Sequence, residues 1–285
     1  MSDLPFAPSP WNYAVVQMDP VSMVQHLDDS QALEAAERIQ PKAYLLHLSW
    51  DSGLPFPGKP WYGFSASLVG PGLRAPDEER CISPDMCIPI FPTIAHPRSR
   101  DPIRPKPERP FPYDDCYHWS FTDTRIRVIA NPEGFDESTA VKLDAREDTR
   151  RERFFAEDAY RQQEALKARH HHRHPPTSRE AREATAQEVS TFAGHGSPSD
   201  DDYHLRSQPE AEDERASIGS ISTHESSTSS LSNDTMTEMG IFGDPSGNIE
   251  MQPLVHLWLD LEAHLKREDI ASPVQFFEEI EMITA

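Results

Sequence analysis

The chain contains 285 residues and carries a formal net charge of −21 at pH 7, with 27 prolines and three cysteines. This charge disfavours nucleic acids as partners, because an acidic surface repels a polyanion. Only 36% of the residues are apolar, so we expect part of the chain to stay outside a folded core. Three cysteines do not build a disulfide scaffold, and no apolar run approaches the roughly 18 residues of a transmembrane helix.

The first six residues, Met1-Ser-Asp-Leu-Pro-Phe6, lack both the basic and the apolar segment of a secretory signal. Together with the small number of cysteines, this favours a reducing intracellular compartment. We therefore expect a cytoplasmic and/or nuclear protein that does not cross a membrane. Residues 1–10 are rich in proline and are predicted to form a disordered tail.

The stretch 13–50 is predicted to be the folding nucleus, because it begins and ends with short apolar runs that are typical of buried strands. Asp19-Pro20 is a helix start signal between these runs, and Pro41 is the matching stop signal. The order predicts a β-α-β unit, which favours parallel strands joined by a right-handed crossover.

The helical part of this unit has the pattern of two pieces. Val21, Val24 and Leu27 share one face, and we expect that face to be buried on the strands. The sequence Asp28-Asp29-Ser30 then supplies a second helix cap.

A further strand is predicted at 61–69, where apolar and small polar residues alternate. The proline-rich segment 84–112 is expected to run as an extended strap, with an edge strand at 86–91. Between 117 and 128 the alternation changes phase, which indicates two strands or one bulged strand. These patterns predict an α+β module with a small mixed sheet over residues 11–141.

Residues 142–172 are predicted to form one long, largely solvated helix, because nothing in them breaks a helix and their apolar stripe is thin. That stripe could dock the middle of the helix on the module; it consists of Phe154, Phe155, Ala159, Tyr160 and Leu166. The following segment, 173–252, is acidic and rich in serine, and it is predicted to be a disordered linker.

Apolar residues return in the segment 253–285. Its first part, 254–265, fits a strand and a helix equally well, whereas Ser272-Pro273 is a clear helix start. Such a short amphipathic element has to be buried against another surface. We therefore expect it to dock on its own module or on a partner, through Trp258, Leu261, Phe276, Phe277, Ile280 and Ile283.

Four side chains have the chemistry of a tetrahedral zinc site: Cys81, Cys87, Cys116 and His118. The gap of five residues between the first two exceeds the usual spacing of two to four, so the pattern is weak. Apart from this zinc ion, no cofactor is predicted. Cys116 alone could act as a nucleophile only if the fold brought a distant histidine, such as His47 or His96, next to it.

Three hydroxyl residues in the acidic linker precede an acidic residue by three positions: Ser199, Ser222 and Thr235. Acid-directed kinases favour this spacing, so these residues are predicted phosphorylation sites. Each phosphate would add about −1.5 to −2 of charge and extend the linker by repulsion.

These patterns favour a non-enzymatic intracellular protein that binds other proteins, as an adaptor, a scaffold or a regulator. One alternative is a zinc-binding or enzymatic α+β domain that uses the three cysteines and His118. The other is a nuclear regulator with an acidic-aromatic segment at the C-terminal end. The sequence does not identify a partner or an oligomeric state.

Overall fold

The computed structural model describes residues 4–50, 55–173 and 252–285. The candidate phosphorylation sites Ser199, Ser222 and Thr235, and the linker 173–252 except for its two end residues, lie outside these described residues. The chain divides into two compact units, which are residues 1–167 with 232–285 and residues 168–231. Of the second unit only the helical residues 168–173 are described, so the account below concerns the first.

The described residues form six strands and five α-helices, which confirms the predicted α+β class. The strands are β1 Tyr13–Met18, β2 Ala43–Trp50, β3 Trp61–Pro71, β4 Cys87–Pro89, β5 Cys116–Ile129 and β6 Leu254–Trp258. The helices are α1 Pro20–Val24, α2 Ser30–Arg38, α3 Ala145–Arg173, α4 Leu261–His264 and α5 Pro273–Thr284.

The six strands form one mixed sheet in the order β3-β2-β1-β6-β5-β4. Because β3 also pairs with β5, the strands β3, β2, β1, β6 and β5 close into a ring. The short strand β4 lies outside this ring and pairs with β5. All pairs are antiparallel except β5 with β6. The C-terminal strand β6 lies between β1 and β5, so the segment expected to dock is an integral part of the sheet.

The β-α-β element order is confirmed, but the predicted parallel crossover is wrong, because β1 and β2 are antiparallel. The physical reason lies between the two helices. Asp28 has the left-handed φ of 52°, which turns the chain, and Asp29 then caps α2. The chain returns antiparallel to β1 after α2, so Ala43 at the start of β2 pairs with Gln17, one residue before the end of β1.

The predicted phase change after residue 121 is a bulge within the single strand β5. Ser67 of β3 pairs with Asp123, but Val69, only two residues further, pairs with His118. The extra residues of β5 are accommodated at Phe121, which has a φ of 66°. The bulge lets the two ends of β5 contribute to different cores.

Two hydrophobic cores lie on opposite faces of the sheet. In the first core, α1, α2 and α5 pack on β1, β2, β3, β5 and β6 through Met23, Val24, Ala36, Phe276 and Ile283. In the second core, the strap, α3 and α4 cover the other face through Ile90, Ile103, Phe111, Phe154 and Leu261. The strand residues alternate between the two cores, as Val15 and Val16 do.

The middle of α3 packs against the module, but most of the predicted apolar stripe does not take part. Phe154 is buried, whereas Tyr160 and Leu166 are exposed. Two charged residues take their place, since Arg151 is 1% exposed and Asp158 is fully buried. The helix is therefore held both by buried polar contacts and by Phe154 and Phe155, which pack in the second core.

The C-terminal segment contains both predicted elements in succession, the strand β6 and then the short helix α4. Helix α5 starts as the sequence indicates, with a capping box between Ser272 and Gln275 and with Pro273 in its first turn. Its apolar side faces the first core through Phe276 and Ile283.

Candidate functional site

The predicted zinc ligands are not brought together by the fold. Cys87 pairs with Trp119 on β5, so it shares the face of Trp119, while Cys116 and His118 point to the opposite face. Cys81 lies in a turn, half-exposed, with a φ of 54°. Among the described residues, no group of three or more His, Cys, Asp or Glu side chains is placed to hold a metal ion.

The buried thiols are also in their unreactive form. Burial raises the pKa of Cys87 to about 11 and the pKa of Cys116 to about 12. The thiolate is the nucleophile, so the raised pKa values do not favour cysteine catalysis at neutral pH. Zinc binding and cysteine catalysis remain predictions that this geometry does not favour.

Tyr13, His47 and His118 form a buried polar cluster. The sequence patterns did not identify these three residues as a group. The hydroxyl of Tyr13 and Nε2 of His118 are 2.9 Å apart, and the rings of His118 and His47 are 5.8 Å apart between centroids. Neither ring nitrogen of His47 has a hydrogen-bond partner. All three side chains are fully buried, so a substrate has no route to them in this structure.

Arg151 of α3 closes this cluster from the helix side. Its Nη1 donates to Oγ of Ser67 at 2.9 Å, and its Nη2 donates to Oδ1 of Asp148 at 2.9 Å. Asp148 Oδ1 also lies 4.0 Å from Nε2 of His47. The guanidinium is thus a fixed positive charge beside two histidines.

The electrostatic consequence is that both histidines stay neutral. Burial, and then the positive charge of Arg151, hold the pKa of His47 well below its usual range. Burial and then Arg151 lower the pKa of His118 in the same way. Burial also raises the pKa of Tyr13 above its usual range. The side chains of Tyr13, His47 and His118 are therefore uncharged and shielded from solvent.

A second buried contact fastens the strap to α3. Arg100 donates to both carboxylate oxygens of Asp158, at 2.9 and 2.8 Å, and Ser120 donates to the same carboxylate at 2.7 Å. Nη1 of Arg100 also donates to the carbonyl of Cys87. This arrangement explains why a charged residue in the middle of α3 can be fully buried.

The residues predicted to dock on another surface pack in the two cores of the module. Phe276 and Ile283 are buried in the first core, and Phe277 and Ile280 pack against it. Leu261 belongs to the second core, and Trp258 lies half-buried beside it. The structure therefore places the C-terminal element on its own sheet.

An apolar groove opens where α5 meets α1 and α2. Its volume is about 490 Å³, and it contains mostly small or apolar side chains. Two large apolar residues stand exposed at its rim, Leu27 at 55% and Met282 at 64% exposure. The remaining lining residues are Met23, Val24, His26, Asp29, Gln31, Ala32, Ala35, Ala36, Ile39, Ile283, Thr284 and Ala285.

The α5 wall of this groove is anchored by a buried carboxylate. The hydroxyl of Tyr44 on β2 donates to Oε2 of Glu279, and the backbone N–H of Lys42 donates to the same oxygen at 3.3 Å. Oε1 of Glu279 has no partner. The anchor therefore joins the helix that supplies one wall of the groove to the sheet.

The sequence patterns missed this groove, and they placed Leu27 on a buried face. The signal that could have revealed it is the run of small residues on one side of α2, at Ala32, Ala35 and Ala36. Small side chains on a helix leave room above them, but they are equally common on any short helix.

None of the described helices is both long and apolar enough to cross a membrane. The chain matches no protein-family model, no curated protein and no solved structure.

Proposed function

We propose that this chain is a non-enzymatic protein-interaction module, and that the groove between α1, α2 and α5 binds an apolar segment of a partner protein. The observation that carries the proposal is the exposure of Leu27 and Met282 on the two sides of a concave apolar surface. Isolated exposed apolar residues are common, but these two border one apolar groove and enlarge its exposed apolar surface.

The state of the reactive side chains supports a binding role over a catalytic one. His47, His118 and Cys116 are fully buried. Their pKa values are shifted towards the neutral forms by burial. A catalytic group has to reach its substrate, and general bases work best with a pKa near the ambient pH.

The composition of the rim suits a peptide segment. Methionine has a flexible, polarizable side chain that adapts to different apolar partners. The volume of about 490 Å³ is large enough for several side chains. Since α2 and α5 carry five glutamates and a single basic residue, the partner segment that fits best carries positive charge beside its apolar residues.

The test is a selection of displayed peptides on the full chain, followed by affinity measurements with two variants. The groove variant is Leu27→Gln with Met282→Gln, which removes apolar character without adding charge. The matched control is Ile94→Gln with Val274→Gln, because these residues are also exposed and apolar but lie outside the groove.

We expect the selected peptides to lose at least tenfold in affinity for the groove variant and to bind the control as they bind the original chain. Peptides that bind both variants equally well would overturn the proposal. A selection that yields no binding peptide would also count against it.

A further inference from the structure

We infer that the occupant of the groove is a short cationic amphipathic helix of another protein. This inference rests on the proposed function and specifies the partner for the same site. It follows from the charge around the groove, from the elements that form its walls, and from the sequences of the competing segments of this chain.

The charge around the groove is almost entirely negative. Helices α1, α2 and α5 together contain one basic residue, Arg38, and its guanidinium pairs with Glu34 of the same helix. Asp29 is the one acidic residue among those that line the groove. Three exposed acids flank the lining: Asp28 precedes Asp29, and Glu278 and Glu281 lie one helical turn before Met282 and Ala285. A cationic partner gains attraction at this rim, whereas an anionic partner is repelled.

The walls favour a helix over an extended strand. A partner strand binds by pairing with a free sheet edge, but the five strands that carry the first core close into a ring. The groove itself is lined by α1, the 3-10 turn that follows it, one side of α2 and the last turn of α5. Such a surface accepts an amphipathic helix, whose apolar residues at positions i, i+3, i+4 and i+7 enter the groove.

The floor and the rim match this mode of binding. The small residues Ala32, Ala35 and Ala36 leave space at the α2 wall, and Leu27 and Met282 can contact the sides of an inserted anchor. The opposite wall is held by the hydrogen bond from Tyr44 to Glu279. The groove is thus preformed, which lowers the entropy cost of binding.

Segments of this chain are poorer occupants on the basis of their sequences. Residues 184–253 contain 13 acidic and two basic residues, so the rim repels them. The basic stretch 167–182 has no large apolar side chain that could act as an anchor. A second copy of α5 brings Glu278 and Glu281 and no basic residue.

The experiment measures the affinity of designed peptides for the full chain by fluorescence anisotropy. The first peptide is a 16-residue helix with leucines at positions i, i+3, i+4 and i+7 and lysines elsewhere. The second replaces its lysines by glutamates, and the third replaces one central leucine by proline to break the helix. Each is measured at low and at high salt, since the charge attraction is screened by salt.

Two triple variants test the charge at the rim. The rim variant is Asp28→Asn, Glu278→Gln and Glu281→Gln, in which asparagine tolerates the left-handed backbone at position 28. The matched control neutralises three exposed acids elsewhere, with Asp101→Asn, Glu108→Gln and Glu133→Gln.

We expect the lysine helix to bind at least tenfold more tightly than either other peptide, and to lose at least fivefold on the rim variant with little loss on the control. Binding that survives rim neutralisation, helix breaking or charge reversal would overturn this inference. The proposed function fails separately, if binding is insensitive to Leu27→Gln with Met282→Gln. Peptides that need the groove but are extended or acidic would leave the proposed function standing and overturn the inference.

Discussion

The hydroxyl of Tyr44 donates a 2.6 Å hydrogen bond to Oε2 of Glu279, and the two residues are 235 positions apart in the sequence. This contact joins the second strand to the last helix and places a carboxylate inside the first core. Burial, and then the hydrogen bond to Glu279, raise the pKa of Tyr44 above its usual range, so the phenol stays a donor.

The first prediction concerns this anchor. Tyr44→Phe removes the donor and leaves the buried carboxylate with only the Lys42 backbone, so we expect a loss of about 1.5–3 kcal/mol in the free energy of unfolding. Glu279→Gln keeps an oxygen acceptor and should cost less. Urea denaturation of both variants gives the comparison. Equal stability of Tyr44→Phe and the original chain would show that the contact does not hold α5.

The second prediction concerns the buried ion pair between α3 and the strap. Asp158→Asn leaves Arg100 buried without its carboxylate, so we expect a loss of about 3–5 kcal/mol, together with faster proteolysis of α3. Urea denaturation and limited proteolysis measure these effects.

The matched control for this pair lies on the same helix. Glu157→Gln breaks the ion pair with Arg153, but both of its partners are more than half exposed. We therefore expect a change of less than about 0.5 kcal/mol. Similar losses for Asp158→Asn and Glu157→Gln would contradict the structural role of Asp158.

Some of the fold could be predicted because it follows from local patterns. The alternation of Phe64, Ala66 and Leu68 predicts a strand with one face in the core, and the structure places all three in the first core. The capping box at Ser272 similarly predicts the start of α5. Both signals depend on residues within a few positions of each other.

The other features of the fold depend on contacts between residues that are distant in the sequence. The sequence predicts a largely solvated helix over 142–172 and does not single out Asp158, because its partner Arg100 is 58 residues away. The direction of β2 depends on a single left-handed residue, Asp28, which a capping pattern does not specify. The groove requires α1 and α2 to meet a helix from the other end of the chain, so periodicity alone could not reveal it.

The third prediction concerns zinc. Because Cys87 faces away from Cys116 and His118, we expect Cys116→Ser to leave the metal content of the purified chain unchanged. Elemental analysis before and after dialysis against a chelator provides the measurement. One zinc ion per chain that is lost with Cys116→Ser would contradict this expectation. The sequence also has four histidines close together, at His170, His171, His172 and His174. Zinc that is lost only when these four are replaced would be bound there and not at Cys116.

The fourth prediction concerns pH and the two buried histidines. The pKa values of His47 and His118 are lowered in the folded chain, so below about pH 6.5 the unfolded chain binds protons that the folded chain does not. Stability therefore falls as the pH decreases from this value towards the lowered native pKa values. Each histidine contributes a slope of about 1.4 kcal/mol per pH unit, and the pair contributes about twice as much.

Comparing variants at the same pH separates this effect from the protonation of carboxylates. His47→Phe with His118→Gln removes both titrating groups, while the amide of the introduced glutamine keeps a polar partner for Tyr13. We expect the melting temperature of this double variant to fall less than that of the original chain between pH 7.5 and 5.5. The matched control is His256→Gln, which replaces a half-exposed histidine. If the double variant and His256→Gln respond alike, the two buried histidines are not the source of the acid sensitivity.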